Sequence, residues 1–231
     1  MRTCSLRVCR FASGLLALLI VVAGAALAGP PLICHTLDIG SAKSLPWISH
    51  GWNLTGSESY DTSKLASDTL AILAADSTVI VHMETLRRAT LYARKDSAAA
   101  KELLAKLTAG TKSVQSGAAP ALYYFDVGYL AETYKQWLEN SQNPAFGIDG
   151  YALVKEAIQL PGHDPQMEFA AALLTLSGPA PQHRDHVQRA MAGAKTDPLL
   201  AKNLSSHFIG ERGETIAQTL TKPVATGETK P

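Results

Sequence analysis

Apolar residues change rhythm twice along this chain. They form an almost unbroken run from Phe11 to Ala26, lose any regular period between Gly29 and Tyr60, and then settle into helical spacing. Between Lys64 and Ala75, Leu65, Ile72 and Leu73 fall on one side of a predicted helix. From Val79 to Lys95, Val79, Met83, Leu86 and Thr90 keep the 3.6-residue period, with Glu84, Arg87, Arg88 and Arg94 elsewhere. The β-branched start Thr78-Val79-Ile80-Val81 permits a strand there as well. Ser97 to Thr108 is dense in strong helix formers, and Gly110 is placed to end it. Ala121 to Asn140 predicts a further helix, interrupted by Asn143-Pro144 and the Gly147–Gly150 stretch.

A repeated unit follows. Val154, Ala157 and Ile158 precede Asp164-Pro165, and 33 residues later Val187, Ala190 and Met191 precede Asp197-Pro198. Aspartate suits a helix N-cap, and proline suits the first helical position, where its missing N–H costs nothing. Each unit therefore reads as helix, loop, Asp-Pro start, second helix, with helices at 151–160, 165–176, 182–194 and 198–209. The 165–176 helix is apolar nearly all round (Met167, Phe169, Ala170, Ala171, Leu173, Leu174), which predicts a central position. The fold class is all-α: antiparallel helical hairpins preceded by an irregular arm.

A hairpin of this length resembles the tetratricopeptide class, whose repeat is about 34 residues. The matching positions are Val154, Ala157, Asp164 and Pro165 with Val187, Ala190, Asp197 and Pro198; the first-helix glycine and aromatic positions of that class are absent. The arm segment C-H-T-L-D-I-G-S-A-K-S-L-P-W also looks like the opening of exported bacterial proteins, a likeness that supplies no mechanism.

Composition then sets the compartment. Arg2, Arg7 and Arg10 precede the apolar run, and Ala26-Leu27-Ala28 ends it as a cleavage site would, so residues 1–28 read as a secretory signal peptide. The run is shorter than the roughly 20 residues that a spanning helix needs, so the mature chain is expected to have no transmembrane segment and to be periplasmic or extracellular. Of 21 basic and 20 acidic residues, three arginines leave with the leader, so 18 face 20 and the balance is −2. That argues against nucleic acid as the partner. Cys4 and Cys9 also leave, so Cys34 has no internal disulfide partner. Residues 29–60 read as an ordered arm covering one end of the body at 61–209, because linkers rarely carry two tryptophans. Residues 210–231 read as a polar, disordered tail.

The reactive side chains form three sets. Cys34, His35 and Asp38 are all metal-ligand types, although neighbours in an extended arm point apart. His183 and His186 share a helical face at a spacing that can bind a divalent metal, or form a plain surface pair. The 121–140 helix holds six of the fifteen aromatic residues, and Tyr123, Tyr134 and Trp137, with Trp47 and Trp52 of the arm, are candidate ligand-binding residues. Glu168, on the most apolar helix, is either a helix-start charge or a buried acid. His207 shares an apolar face with Leu200, Leu204 and Phe208, where a hydrogen-bonded core histidine is the expectation.

No nucleophile elbow, phosphate loop or paired-carboxylate motif is present. The expectation is a non-enzymatic, exported protein that binds a protein or peptide partner, without a required cofactor. Two alternatives stay open: a metal-dependent hydrolase or redox protein using Cys34, His35 and Asp38, and small-ligand binding at the aromatic helix.

Overall fold

A computed structural model describes residues 31–48, 54–113, 120–141 and 143–209. The proposed leader, Trp52 and the tail from 210 lie outside the described residues. The described chain is all-α. Its helices are α1 (Pro31–Cys34), α2 (Leu65–Ala75), α3 (Val79–Ala93), α4 (Ser97–Ser113), α5 (Pro120–Trp137), α6 (Gly150–Gln159), α7 (Pro165–Leu174), α8 (Ala180–Gly193) and α9 (Pro198–Leu204). A π-helical turn, Ser205–Ile209, continues α9. Among the described residues no helix is long and apolar enough to cross a membrane.

Both Asp-Pro starts work as capped helix entries. The Asp164 carboxylate accepts the Gln166 N–H at 2.8 Å, and Asp197 accepts that of Leu200 at 2.9 Å. Gln166 joins the two. Its carboxamide donates to Asp197 Oδ2 at 2.6 Å and accepts the otherwise orphaned Ile80 N–H in the first turn of α3 at 2.8 Å. The Thr78–Val81 segment is helical rather than extended, apart from the N-cap Thr78 itself.

The centre is shared. In α7, every residue from Gln166 to Leu173 is buried, as its apolar surface predicts. In α3 all but Arg88 are buried, including Glu84 and Arg87 at 0 % exposure. These two belong to what the periodicity assigns as a polar face. The correction has a physical cause: the arm lies on that face. Glu84 Oε2 accepts the Leu37 N–H at 3.1 Å, and its other oxygen receives Arg87 at 3.2 Å and Arg88 at 2.8 Å. Arg87 donates to the Ile33 carbonyl and Arg88 to that of Leu45, while the Trp47 ring lies against both guanidiniums. Leu32, Leu37 and Leu45 meanwhile enter the core. Residues 31–48 of the arm are thus an ordered part of the body, held by backbone groups that water would otherwise satisfy.

Two glycines set the α5–α6 crossing. The Gly128 and Gly150 backbones meet so closely that a methyl on Gly128 would sit 2.6 Å from the Gly150 carbonyl and 3.0 Å from Val154 N. Gly110 does not end α4 as its position suggests. The helix continues to Ser113, and Gly110 leaves room for the Tyr123 ring, 3.2 Å from where its Cβ would be. At the other boundaries the Thr175 hydroxyl turns back onto Ala171 O at 2.8 Å, ending α7 two residues early, and α8 begins at Ala180.

Candidate functional site

An open cleft of about 400 Å³ lies between α6 and α8, the first helices of the two repeated units. Its lining comes from residues one turn apart on each helix: Tyr151, Lys155 and Gln159 on α6, and Gln182, His186 and Arg189 on α8. Glu156 and Asp185 complete the rim.

Its floor is a chain of three groups from three helices. The Tyr151 hydroxyl lies 2.8 Å from His186 Nε2, and His186 Nδ1 lies 2.5 Å from Glu168 Oε2 on α7. Arg189 Nη1 reaches the second Glu168 oxygen at 3.2 Å. Glu168 is 5 % exposed and His186 6 %. Glu168 is therefore the buried acid of the two readings given above. His186 is not a surface histidine: an acid inside an apolar helix must be partnered, and the next helix supplies an imidazole and a guanidinium for it. Burial first, and then the Glu168 charge, hold the Tyr151 phenol above its ordinary pKa, against the opposing field of Arg189. The Lys155 ammonium rests 4.8 Å from the centre of the Tyr151 ring.

The other sequence candidates are dispersed. His183 turns away from the cleft, its Nδ1 3.0 Å from the Ala172 carbonyl and its ring beside Phe208. Cys34 ends α1 half-buried; burial pushes its thiol pKa up, with the Arg87 charge opposing. His35 is exposed and meets His207 edge-on at 5.6 Å. Asp38 is taken up by Lys202, which holds its carboxyl below the usual range, helped by the Gly40 N–H. The structure thus brings His35 against His207, and does not gather Cys34, Asp38, His183 and His186 into one group with it. Among the described residues no three His, Cys, Asp or Glu side chains are grouped to hold a metal ion.

The aromatic helix is mostly committed to packing. Tyr134 is fully buried and donates its hydroxyl to Ala100 O at 3.2 Å, so it lines no groove. Arg94 covers the Trp137 ring at 4.6 Å, Trp47 stands against Arg87, Arg88 and Tyr92, and Tyr123 fills the space at Gly110. The cleft residues Tyr151, Lys155, Glu156, Gln159, Gln182 and Arg189 are not among the sequence candidates. Their signal was the polar stripe at i, i+4 and i+8 on α6, facing a second one on α8.

Two further histidines set the response to pH. Burial, joined by the charges of His35 and Arg87, depresses His207 to about 4, although its Nδ1–H donates to Asn203 O at 2.8 Å. At His82, burial acts downward. The Asp126 carboxylate 2.7 Å from Nδ1 and the Asp76 carbonyl 2.6 Å from Nε2 outweigh it and hold the imidazole above its ordinary value. Burial pushes the Asp126 carboxyl up as well. We assign the proton to the imidazole because both of its nitrogens face acceptors. The unfolded chain binds more protons than the folded one at position 207 between about 6.5 and about 4, so stability falls over that range as pH falls. The cost is about 3 kcal/mol. The His82 contribution is complete below about 6.5 and is lost as pH rises through its folded value. Urea titrations should place maximum stability near pH 6.5, and His207→Gln should flatten only the acid limb between pH 4.5 and 6.5. An acid limb unchanged in that variant would contradict the assignment.

Comparison of the chain with protein families, with curated proteins and with solved structures found no match.

Proposed function

We propose that the chain is an exported helical-hairpin protein that binds a protein or peptide partner in the α6–α8 cleft. The observation that carries this reading is the cleft itself. It is open, has polar side chains on both helices, and is floored by a hydrogen-bonded chain that fixes Tyr151 in orientation. Small convergent polar sets of this kind give a pocket its specificity. Glu168, His186 and Tyr151 follow the order carboxylate, imidazole, hydroxyl, but the hydroxyl is a phenol whose proton burial retains. That supports recognition rather than nucleophilic attack.

A photocrosslinking residue at Gln159 should capture a defined partner from the native envelope extract. The same group at Glu102, exposed on α4, should not, and Gln182→Trp, which fills the cleft, should abolish capture. Equal capture from both positions, or capture that survives Gln182→Trp, would remove the cleft from the proposal. Export is tested on the purified native protein, whose N-terminus should be Gly29; a chain retaining residues 1–28 would overturn it. Stoichiometric metal lost in Cys34→Ser would instead favour the metal-dependent reading.

A further inference from the structure

The floor of the cleft has a polarity that follows from its hydrogen bonds. Glu168 holds the Arg189 guanidinium on its other oxygen at 3.2 Å, and as the carboxylate of that ion pair it can only accept. His186 Nδ1, 2.5 Å away, must carry the proton between them. With a single ring proton so placed, Nε2 is an acceptor, and the Tyr151 O–H 2.8 Å from it points inward. What Tyr151 offers a ligand is then an oxygen lone pair. The group that meets it must be a donor.

Charge narrows the donor. The rim holds two carboxylates and two cations, but the cations are not equally free. Arg189 is held by Glu168 at 3.2 Å and by Asp185 at 4.0 Å, and Lys155 lies on the Tyr151 ring. Glu156 has no ion-pair partner among the described residues, and Asp185 is exposed with only that long contact. The carbonyl oxygens of Gln159 and Gln182 add acceptors at the two ends. Lys155 itself shows that an ammonium is accommodated against the Tyr151 face. A volume of about 400 Å³ is at the small end of ligand pockets, fitting one side chain rather than a folded surface.

We propose that the α6–α8 cleft recognises a cationic amine of a peptide, a lysine side chain above all, by accepting its N–H bonds on the Tyr151 oxygen and the Glu156 and Asp185 carboxylates. This rests on the reading of the cleft as a peptide-binding site and names the group that it takes. Three blocked pentapeptides, Gly-Gly-X-Gly-Gly with X as lysine, acetyl-lysine or glutamate, are titrated into isotopically labelled protein and followed by amide resonances. The lysine peptide should shift α6 and α8 signals, with acetyl-lysine at least about tenfold weaker and glutamate weaker still. Tyr151→Phe and the exposed double variant Glu156→Gln/Asp185→Asn should each weaken the lysine peptide while remaining folded by thermal melt. The double variant should also lose the salt dependence of binding. Equal or tighter binding of the acetylated or acidic peptide overturns the proposal, as does binding of a neutral oligosaccharide in place of the peptides. So does a lysine peptide that leaves α6 and α8 unshifted. In that event crosslinking at Gln159 still reports separately on whether the cleft binds a partner at all.

Discussion

Replacing Glu84 by alanine is expected to lower stability by at least about 3 kcal/mol and to loosen the arm from α3. The carboxylate holds three donors at once, the Leu37 N–H, Arg87 and Arg88, and the first two are buried with no water to turn to. Its removal takes the carboxylate partner from an Arg87 at 0 % exposure, while the bond from Arg87 Nε to the Ile33 carbonyl at 2.9 Å stays in place. Against a total of ~5–15 kcal/mol for an ordinary domain, this is a large fraction. For a chain of this size each kcal/mol is worth about 2–4 °C, so the melting temperature should fall by roughly 6–12 °C. Hydrogen exchange separates global from local loss. The Leu37 amide should exchange faster in Glu84→Ala by more than the change in global stability explains. Glu84→Gln keeps an acceptor for Leu37 and should lie between. A Glu84→Ala protein as stable as the parent would mean that the arm docks through its leucines alone.

The second large effect is expected from Gly150→Ala. A methyl there would overlap the Gly128 carbonyl oxygen and approach Glu132 Oε1 at 2.7 Å, the same oxygen that accepts the Gly150 N–H at 2.9 Å. The nearest neighbour is backbone and cannot swing aside. Overpacking ordinarily costs ~1–3 kcal/mol, and a clash with the main chain belongs at the top of that range or above it. Gly128→Ala should behave alike. The two should be strongly non-additive, since either one alone separates the helices. Gly147→Ala, where no atom lies within 4 Å of the added methyl, is the control and should leave the urea midpoint nearly unchanged. Moving α6 also moves Tyr151, Lys155 and Gln159, so any ligand of the cleft should weaken in Gly150→Ala beyond what unfolding accounts for.

The helical hairpins were readable because their signals are local. Asp164-Pro165 and Asp197-Pro198 announce helix starts within a few residues, and the apolar surface of α7 announces burial on every side. The docking of the arm was not readable. Glu84 and Arg87 carry the charge of a solvent-facing stripe, and only a segment some fifty residues upstream, without periodicity of its own, turns that stripe inward. The floor of the cleft was half legible. Glu168 stood out as an acid on an apolar helix, but its partners lie on α8, where His186 reads as half of a surface pair with His183. A buried acid obliges the fold to provide donors, and looking for them at i, i+3 on the following helix would have found His186 and Arg189. Gly128 carried a signal too, since a glycine inside a helix of bulky residues marks a close approach.

Gln166 gives the duplication a direction. Its carboxamide can reach both the Asp197 carboxylate and the Ile80 N–H only because it follows the first of the two prolines. The second proline is followed by Leu199, which can do neither. The two copies have therefore lost the interchangeability that repeats in a solenoid retain. Exchanging them in order would leave a donor on α3 without an acceptor and place an amide where the chain has a leucine packed against its core. Whatever their common origin, the units have become a first and a last.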